Sequence, residues 1–184
     1  MKIVIGITGA SGIIYGVTLL DLLKEKPFLI MSKNGKLLLE MESQYTVEDL
    51  KGKAVYYEDS QLDAPLSSGS FLFDAMVVVP CSVSTLSKIA SGFADTLITR
   101  CASVALKERR KLILVPRETP LSTIHLQNMA SLSLQGVIIL PAMPAFYHMP
   151  QTIDDLVSFV TGKILDQLNI EHDLFARWDA KGSK

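Results

Sequence analysis

Arg117 and Glu118 follow directly on the apolar run Leu112-Ile113-Leu114-Val115 and Pro116. A guanidinium suits an anionic ligand group and a carboxylate can carry a proton, so this pair offers anion binding beside acid–base chemistry. Gly6-Ile7-Thr8-Gly9-Ala10-Ser11-Gly12 closes an earlier β-rich run, and such glycines let a phosphate approach backbone amides. The spacing is GxxGxxG, not the dinucleotide GxGxxG. Ser32-Lys33-Asn34 stands where a nicotinamide site usually carries an acid, which argues against NAD while Lys33 leaves NADP open. Pro80-Cys81-Ser82-Val83-Ser84-Thr85 is a hydroxyl-rich stretch whose Ser82 or Ser84 either caps a helix or holds a phosphate or ring carbonyl. Ser67, Ser68 and Ser70 around Gly69 form a second small polar loop or a plain surface turn.

Cations recur further along. Arg100 and Lys107, seven residues apart, share a helical face with Val104 between them. Arg109, Arg110 and Lys111 read as solvent-exposed charges at a helix end. Lys163 borders the apolar stripe Ile153, Leu156, Val157, Val160 and Ile164, a place that snorkelling explains. Arg100, Lys107, Arg117 and Lys163 would together suit one phosphate, although spacing does not prove that they converge. Tyr147, in Pro144-Ala145-Phe146-Tyr147-His148, can donate to an anion, while Phe146 packs. Trp178 ends an apolar tail, Asp173-Leu174-Phe175-Ala176-Arg177-Trp178, that covers the site or docks on a neighbouring subunit.

These residues need a scaffold. A chain of 184 residues with 48% hydrophobic content fits one domain, 1–184, with a substantial core. The net charge of −1 implies no nucleic-acid partner. Cys81 and Cys101 make no disulfide framework, and His125, His148 and His172 have no metal-ligand spacing. Gly6, Gly9, Gly12 and Asp21 interrupt the opening stretch, which therefore reads as strand, loop and helix, not as a signal peptide. No apolar run approaches the roughly 20 residues of a membrane span, so a soluble, cytoplasmic protein is expected. Strands are expected at 2–8, 28–31, 75–79, 112–115 and 137–140, with a short edge strand near 55–57. Helices are expected at 13–23, 36–42, 83–90, 97–108, 121–134 and from Thr152 to about 168. Strand–helix alternation of this kind specifies an α/β fold, a doubly wound parallel sheet.

In order along nearly the whole chain, GITGASG, SSGSF, AMVVVPCSVSTL, LKERRKLILVPRETPLSTIHLQNM, LPAMPAFYHMP, TIDDLV and DLFARW resemble the UbiX-type flavin prenyltransferases. The resemblance implies a Rossmann-like, flavodoxin-type fold, assembled as a homo-oligomer, a dodecamer of trimers. It implies that a dimethylallyl group from dimethylallyl phosphate is joined, without a metal, to N5 and C6 of reduced FMN. The prenylated FMN then serves a UbiD-type decarboxylase. By the same resemblance Gly9, Ala10, Ser11, Ser32, Ser82, Val83, Ser84, Thr85 and Arg117 contact FMN. Arg100, Lys107, Glu118, Tyr147 and Lys163 surround the prenyl phosphate, with Trp178 near its far side and the tail 169–184 docked on the site or a neighbour. Glu118 would carry protons and Ser11 would orient N5. Lys163 departs from the family's usual Arg, and 23–28 is shorter than usual. Two alternatives stand beside this reading: an FMN-dependent decarboxylase of the cysteine-decarboxylase type, whose PASANT-like loop PCSVST echoes loosely, and a non-catalytic flavin carrier.

Overall fold

Runs of Ile, Val, Leu and Met with few polar interruptions cannot face water on either side, so they pair as parallel strands covered on both faces by helices. The computed structural model, which describes residues 1–178, has this architecture. By contact the chain forms two compact units, Met1–Pro141 and Ala142–Lys184.

The first unit carries one six-stranded parallel sheet in the order β3-β2-β1-β4-β5-β6. Its strands are β1 (Ile3–Ile7), β2 (Phe28–Met31), β3 (Val55–Glu58), β4 (Ala75–Cys81), β5 (Lys111–Pro116) and β6 (Ile138–Ile139). Its helices are α1 (Ile13–Leu22), α2 (Lys33–Glu42), α3 (Val47–Lys53), α4 (Val83–Ala90), α5 (Leu97–Lys107) and α6 (Thr123–Leu134). β1 pairs with β2 on one side and β4 on the other, with Val4 opposite both Phe28 and Met76. The strand order therefore reverses between β1 and β4, and a crevice opens beyond their carboxyl ends. Val4, Met76, Val78, Leu112 and Leu114 pack with Leu86, Ile98 and Ala102 into one buried cluster. Each such aliphatic side chain contributes roughly 1.5–3 kcal/mol over leaving it exposed.

The elements depart from the sequence reading at their edges. α2 begins at Lys33, because Ser32 Oγ accepts from the Gly35 amide at 3.0 Å and caps the helix there. α6 begins at Thr123, capped by Ser122. β6 is only two residues long, and α3, unread in the sequence, rests on the reciprocal Thr46–Asp49 capping box. Arg110 is not a solvated charge. Its guanidinium donates to the Gly69 and Phe71 carbonyls at 2.6 and 2.7 Å and lies 4.5 Å over the Phe73 ring, so it ties the 69–73 loop to the start of β5.

The second unit is built on α7 (Ile153–Leu168), capped by Thr152 and Asp155 and closed at Asn169 in the left-handed conformation (φ 58°). Val157, Val160, Ile164 and Leu168 are buried as the apolar stripe requires, whereas Ile153 at its start is exposed. A Cβ on Gly162 would lie 2.5 Å from Phe175 and 2.7 Å from His172, so the bare glycine lets the tail lie directly on this helix.

Candidate functional site

A cavity of about 530 Å³ opens beyond the carboxyl ends of β1, β2, β4 and β5. Three of its walls are helix starts: Ser32, Lys33 and Asn34 at α2, Ser82 to Thr85 at α4, and Thr96, Ile98 and Thr99 at α5. Gly9 and Ala10 form its floor beside α2, and Arg117 and Glu118 come in from the end of β5. Asp59 and Lys88 complete the lining.

Thr8 fixes the two central loops against each other. Its buried hydroxyl donates to the Pro80 carbonyl at 2.9 Å and accepts from the Ser82 amide at 2.7 Å. Gly9 then passes so close to α2 that a Cβ there would stand 2.5 Å from Asn34 Cβ. Arg117 closes the third side: its Nε donates to the Ser11 carbonyl at 3.1 Å and its amide to the Cys81 carbonyl at 3.4 Å. The end of β5 is thereby bound to both glycine and hydroxyl loops.

Each helix start brings about half a positive charge to the cavity. Ser32, Ser82 and Thr96 each cap the third amide of their own helix. At α5, Asp59 occupies the next two amides as well, its carbonyl accepting from Leu97 at 2.7 Å and its Oδ1 from Ile98 at 2.8 Å. At α2 and α4 the first two amides, those of Lys33, Asn34, Val83 and Ser84, find no protein partner among the described residues. With Lys33 and Arg117 alongside, these amides have the chemistry that suits an anion. Glu118 is half-buried, and its Oε1 accepts from the Thr119 amide at 3.1 Å. Lys88 pairs with Asp95 at 2.7 Å and holds that carboxyl below its usual range.

The glycine loop itself is used differently from the sequence reading. Gly12 takes φ 101°, a conformation L side chains resist, and its amide and that of Ile13 donate to Glu42 Oε2 at 2.8 and 3.3 Å. The positive end of α1 is thus already met by a carboxylate from the end of α2.

Of the residues expected at a site, Gly9, Ala10, Ser32, Ser82, Val83, Ser84, Thr85, Arg117 and Glu118 line this one cavity. Ser11 is exposed just past the floor and is tied to Arg117 through its carbonyl. Arg100 is exposed on the first turn of α5, outside the lining. Lys107 ends the same helix, ten residues beyond Leu97, or about 15 Å at the helical rise. There it pairs with Glu108 beside the Gly69 loop, drawing the Glu108 carboxyl below its ordinary value. In the sequence Lys33 reads only as a nucleotide signal and Asn34 only as its neighbour, while Asp59, Lys88, Thr96, Ile98 and Thr99 also line the cavity without a site signal of their own. The T-x-x-T pattern of Thr96 and Thr99 could have marked a helix start, but nothing local marks Asp59.

Tyr147, Lys163 and Trp178 belong to the second unit. Trp178 lies edge-on to Tyr147 with ring centroids 5.5 Å apart, and Tyr147 in turn meets Phe159 at 5.9 Å. His148 stacks on Phe159 at 5.2 Å, with both ring nitrogens buried and without a hydrogen-bond partner among the described residues. Lys163 Nζ is 3.2 Å from Asp166 Oδ2. Among the described residues no three His, Cys, Asp or Glu side chains gather as a metal site would require.

The family described as Flavoprotein matches residues 1–165. The flavin prenyltransferase UbiX of Thermoplasma acidophilum is 53% identical over 180 residues, which cover 97% of this chain and 100% of that one. Among solved structures, the dodecameric FMN-dependent UbiX-like decarboxylase from Escherichia coli O157:H7 matches with a TM-score of 0.95 at 46% identity, over 98% of this chain and 100% of that one. AnUbiX (PadA1), solved in complex with FMN and dimethylallyl pyrophosphate, matches at 0.94 and 42% over 97% of each chain.

Proposed function

The chain belongs to the UbiX family of flavin prenyltransferases, and on that premise we propose that it joins a dimethylallyl group from dimethylallyl phosphate to N5 and C6 of reduced FMN. One observation carries the reading: Arg117 and Glu118 line the same cavity as Gly9, Ala10 and the hydroxyl-rich starts of α2 and α4. The cavity falls within the roughly 300–1,000 Å³ of small-molecule sites. Its unpartnered amides, with Lys33 and Arg117, fit a phosphate monoester such as that of FMN. Reduced FMN supplies the electron-rich ring that accepts the prenyl carbon.

In this reading Gly9, Ala10, Ser32, Ser82 to Thr85 and Arg117 hold the flavin, and Ser11 orients N5. Glu118 carries protons to or from the leaving phosphate and the ring. Departure of an allylic phosphate needs positive charge where negative charge gathers, and the fixed cations Arg100, Lys107 and Lys163, with the Tyr147 hydroxyl, supply it in place of a metal. Trp178 and the aromatic rings beside it shelter the allylic cation. Lys107 sits at the far end of α5 from its own chain's cavity, so we assign it to the cavity of a neighbouring copy in a homo-oligomer, a dodecamer as in the Escherichia coli relative. The expected docking of the tail 169–184 concerns, at 179–184, residues outside those described. We place the protein in the cytoplasm, where the buried free thiols Cys81 and Cys101 stay reduced. No helix among the described residues is long and apolar enough to cross a membrane. A UbiD-type decarboxylase is the recipient of the product.

The test is mass spectrometry of the flavin after anaerobic incubation with reduced FMN and dimethylallyl phosphate. A flavin heavier by one five-carbon unit is expected. Unmodified FMN that is demonstrably bound would overturn the reading, and carbon dioxide released from a cysteine-terminated peptide would replace it with the decarboxylase alternative.

A further inference from the structure

Asp166, in the last turn of α7, gathers three cations or potential cations on one carboxylate. Arg177 donates to Oδ1 at 2.7 Å and to Oδ2 at 3.2 Å, Lys163 lies 3.2 Å from Oδ2, and His172 Nε2 lies 3.2 Å from Oδ1. One turn earlier on the same helix face, the missing Cβ of Gly162 leaves room for Phe175 and His172. Arg177 immediately precedes Trp178, which is 73% exposed and, among the described residues, meets a single ring, that of Tyr147. So exposed a ring, with so little packed around it, takes its position from the residue before it.

We infer that Asp166 is a positioning residue for prenyl transfer: it sets the Lys163 ammonium directly and, through Arg177, the Trp178 ring against Tyr147. This rests on the proposed prenyltransferase reading. The paired guanidinium makes the shorter contact and the ammonium the longer, so Arg177 anchors the tail while Lys163 is steered without being used up.

The test is steady-state prenyl transfer from dimethylallyl phosphate to reduced FMN by the full chain and its Asp166→Asn, Asp166→Glu and Arg177→Met variants. In Asp166→Asn and Arg177→Met the KM for the prenyl phosphate should rise on the order of tenfold. The FMN dissociation constant should hold, and Asp166→Glu should recover most of the loss. Trp178, the chain's one tryptophan, gives a second readout: without flavin, its emission should shift red in both disruptive variants. Arg177→Met removes a largely exposed side chain and keeps the test alive if Asp166→Asn fails to fold. An unchanged KM in an active protein overturns this inference alone, as does an equal loss of FMN and prenyl-phosphate affinity. A wild-type chain that binds FMN and leaves it unmodified overturns the prenyltransferase reading and this inference with it.

Discussion

Glu118 is the lining carboxylate set beside the Arg117 cation, at the point where β5 delivers both to the cavity. Asp59, the other lining acid, is spent on the start of α5, so under the proposed function Glu118 is the carboxylate assigned to move protons. Glu118→Gln keeps the size and the acceptor to Thr119 but removes the titratable carboxyl. Turnover should fall by roughly 10²-fold or more, the usual scale for a lost general acid–base, with FMN binding retained. Flavin titration alongside product mass spectrometry checks both halves. At this scale the sequence is informative wherever a cavity-lining residue follows closely on a strand, as with Gly9, Ser32, Ser82 and Arg117. Asp59 and Glu42 were invisible for the opposite reason. Each acts on a partner 30 or more positions away, Glu42 on Gly12 and Asp59 on Ile98, and no local pattern encodes such a meeting.

Elements show the same division. β1, β4 and β5 are buried along almost their whole length and read directly as apolar runs. α3 buries only Leu50, so periodicity had little to report, and its sign was the Thr46–Asp49 box. A cation at a helix end is normally solvated, and Arg110 departs from that expectation because two loop carbonyls and the Phe73 ring claim it. Arg110→Met should therefore cost about 1–3 kcal/mol, since two half-buried carbonyls lose a charged donor. The urea midpoint should drop accordingly, with no change in the slope of the transition.

Over the whole molecule, the doubly wound order follows from strand–helix alternation, and the crevice follows from the order. Division of the chain after Pro141 carried no such signal, because Pro141 to Pro150 reads only as irregular. Acid should act unevenly across it. Hydrogen bonds from Arg177, helped by Lys163, hold the Asp166 carboxyl down at about 2 from an ordinary 3.8. Its stabilisation is therefore complete above about pH 4 and is lost as pH falls towards 2. Allowing for solvent screening, it amounts to about 1 kcal/mol. Trp178 emission should report release of the tail in that window. Asp166→Asn should erase the transition, while one that persists unchanged in the variant would place its origin elsewhere.

α5 carries cavity wall at Thr96, Ile98 and Thr99 and, some three turns on, the ammonium of Lys107. If that ammonium serves another copy, as proposed, ownership of a lesion and of its damage part company. A subunit that loses Lys107 keeps its own flavin cradle intact and impairs the one next door. In a cell making both the altered and the unaltered chain, either lesion would silence the same share of centres, but a chain lacking Lys107 mixed with one lacking Glu118 would regain activity, because a centre that joins the intact Glu118 of one to the intact Lys107 of the other is whole.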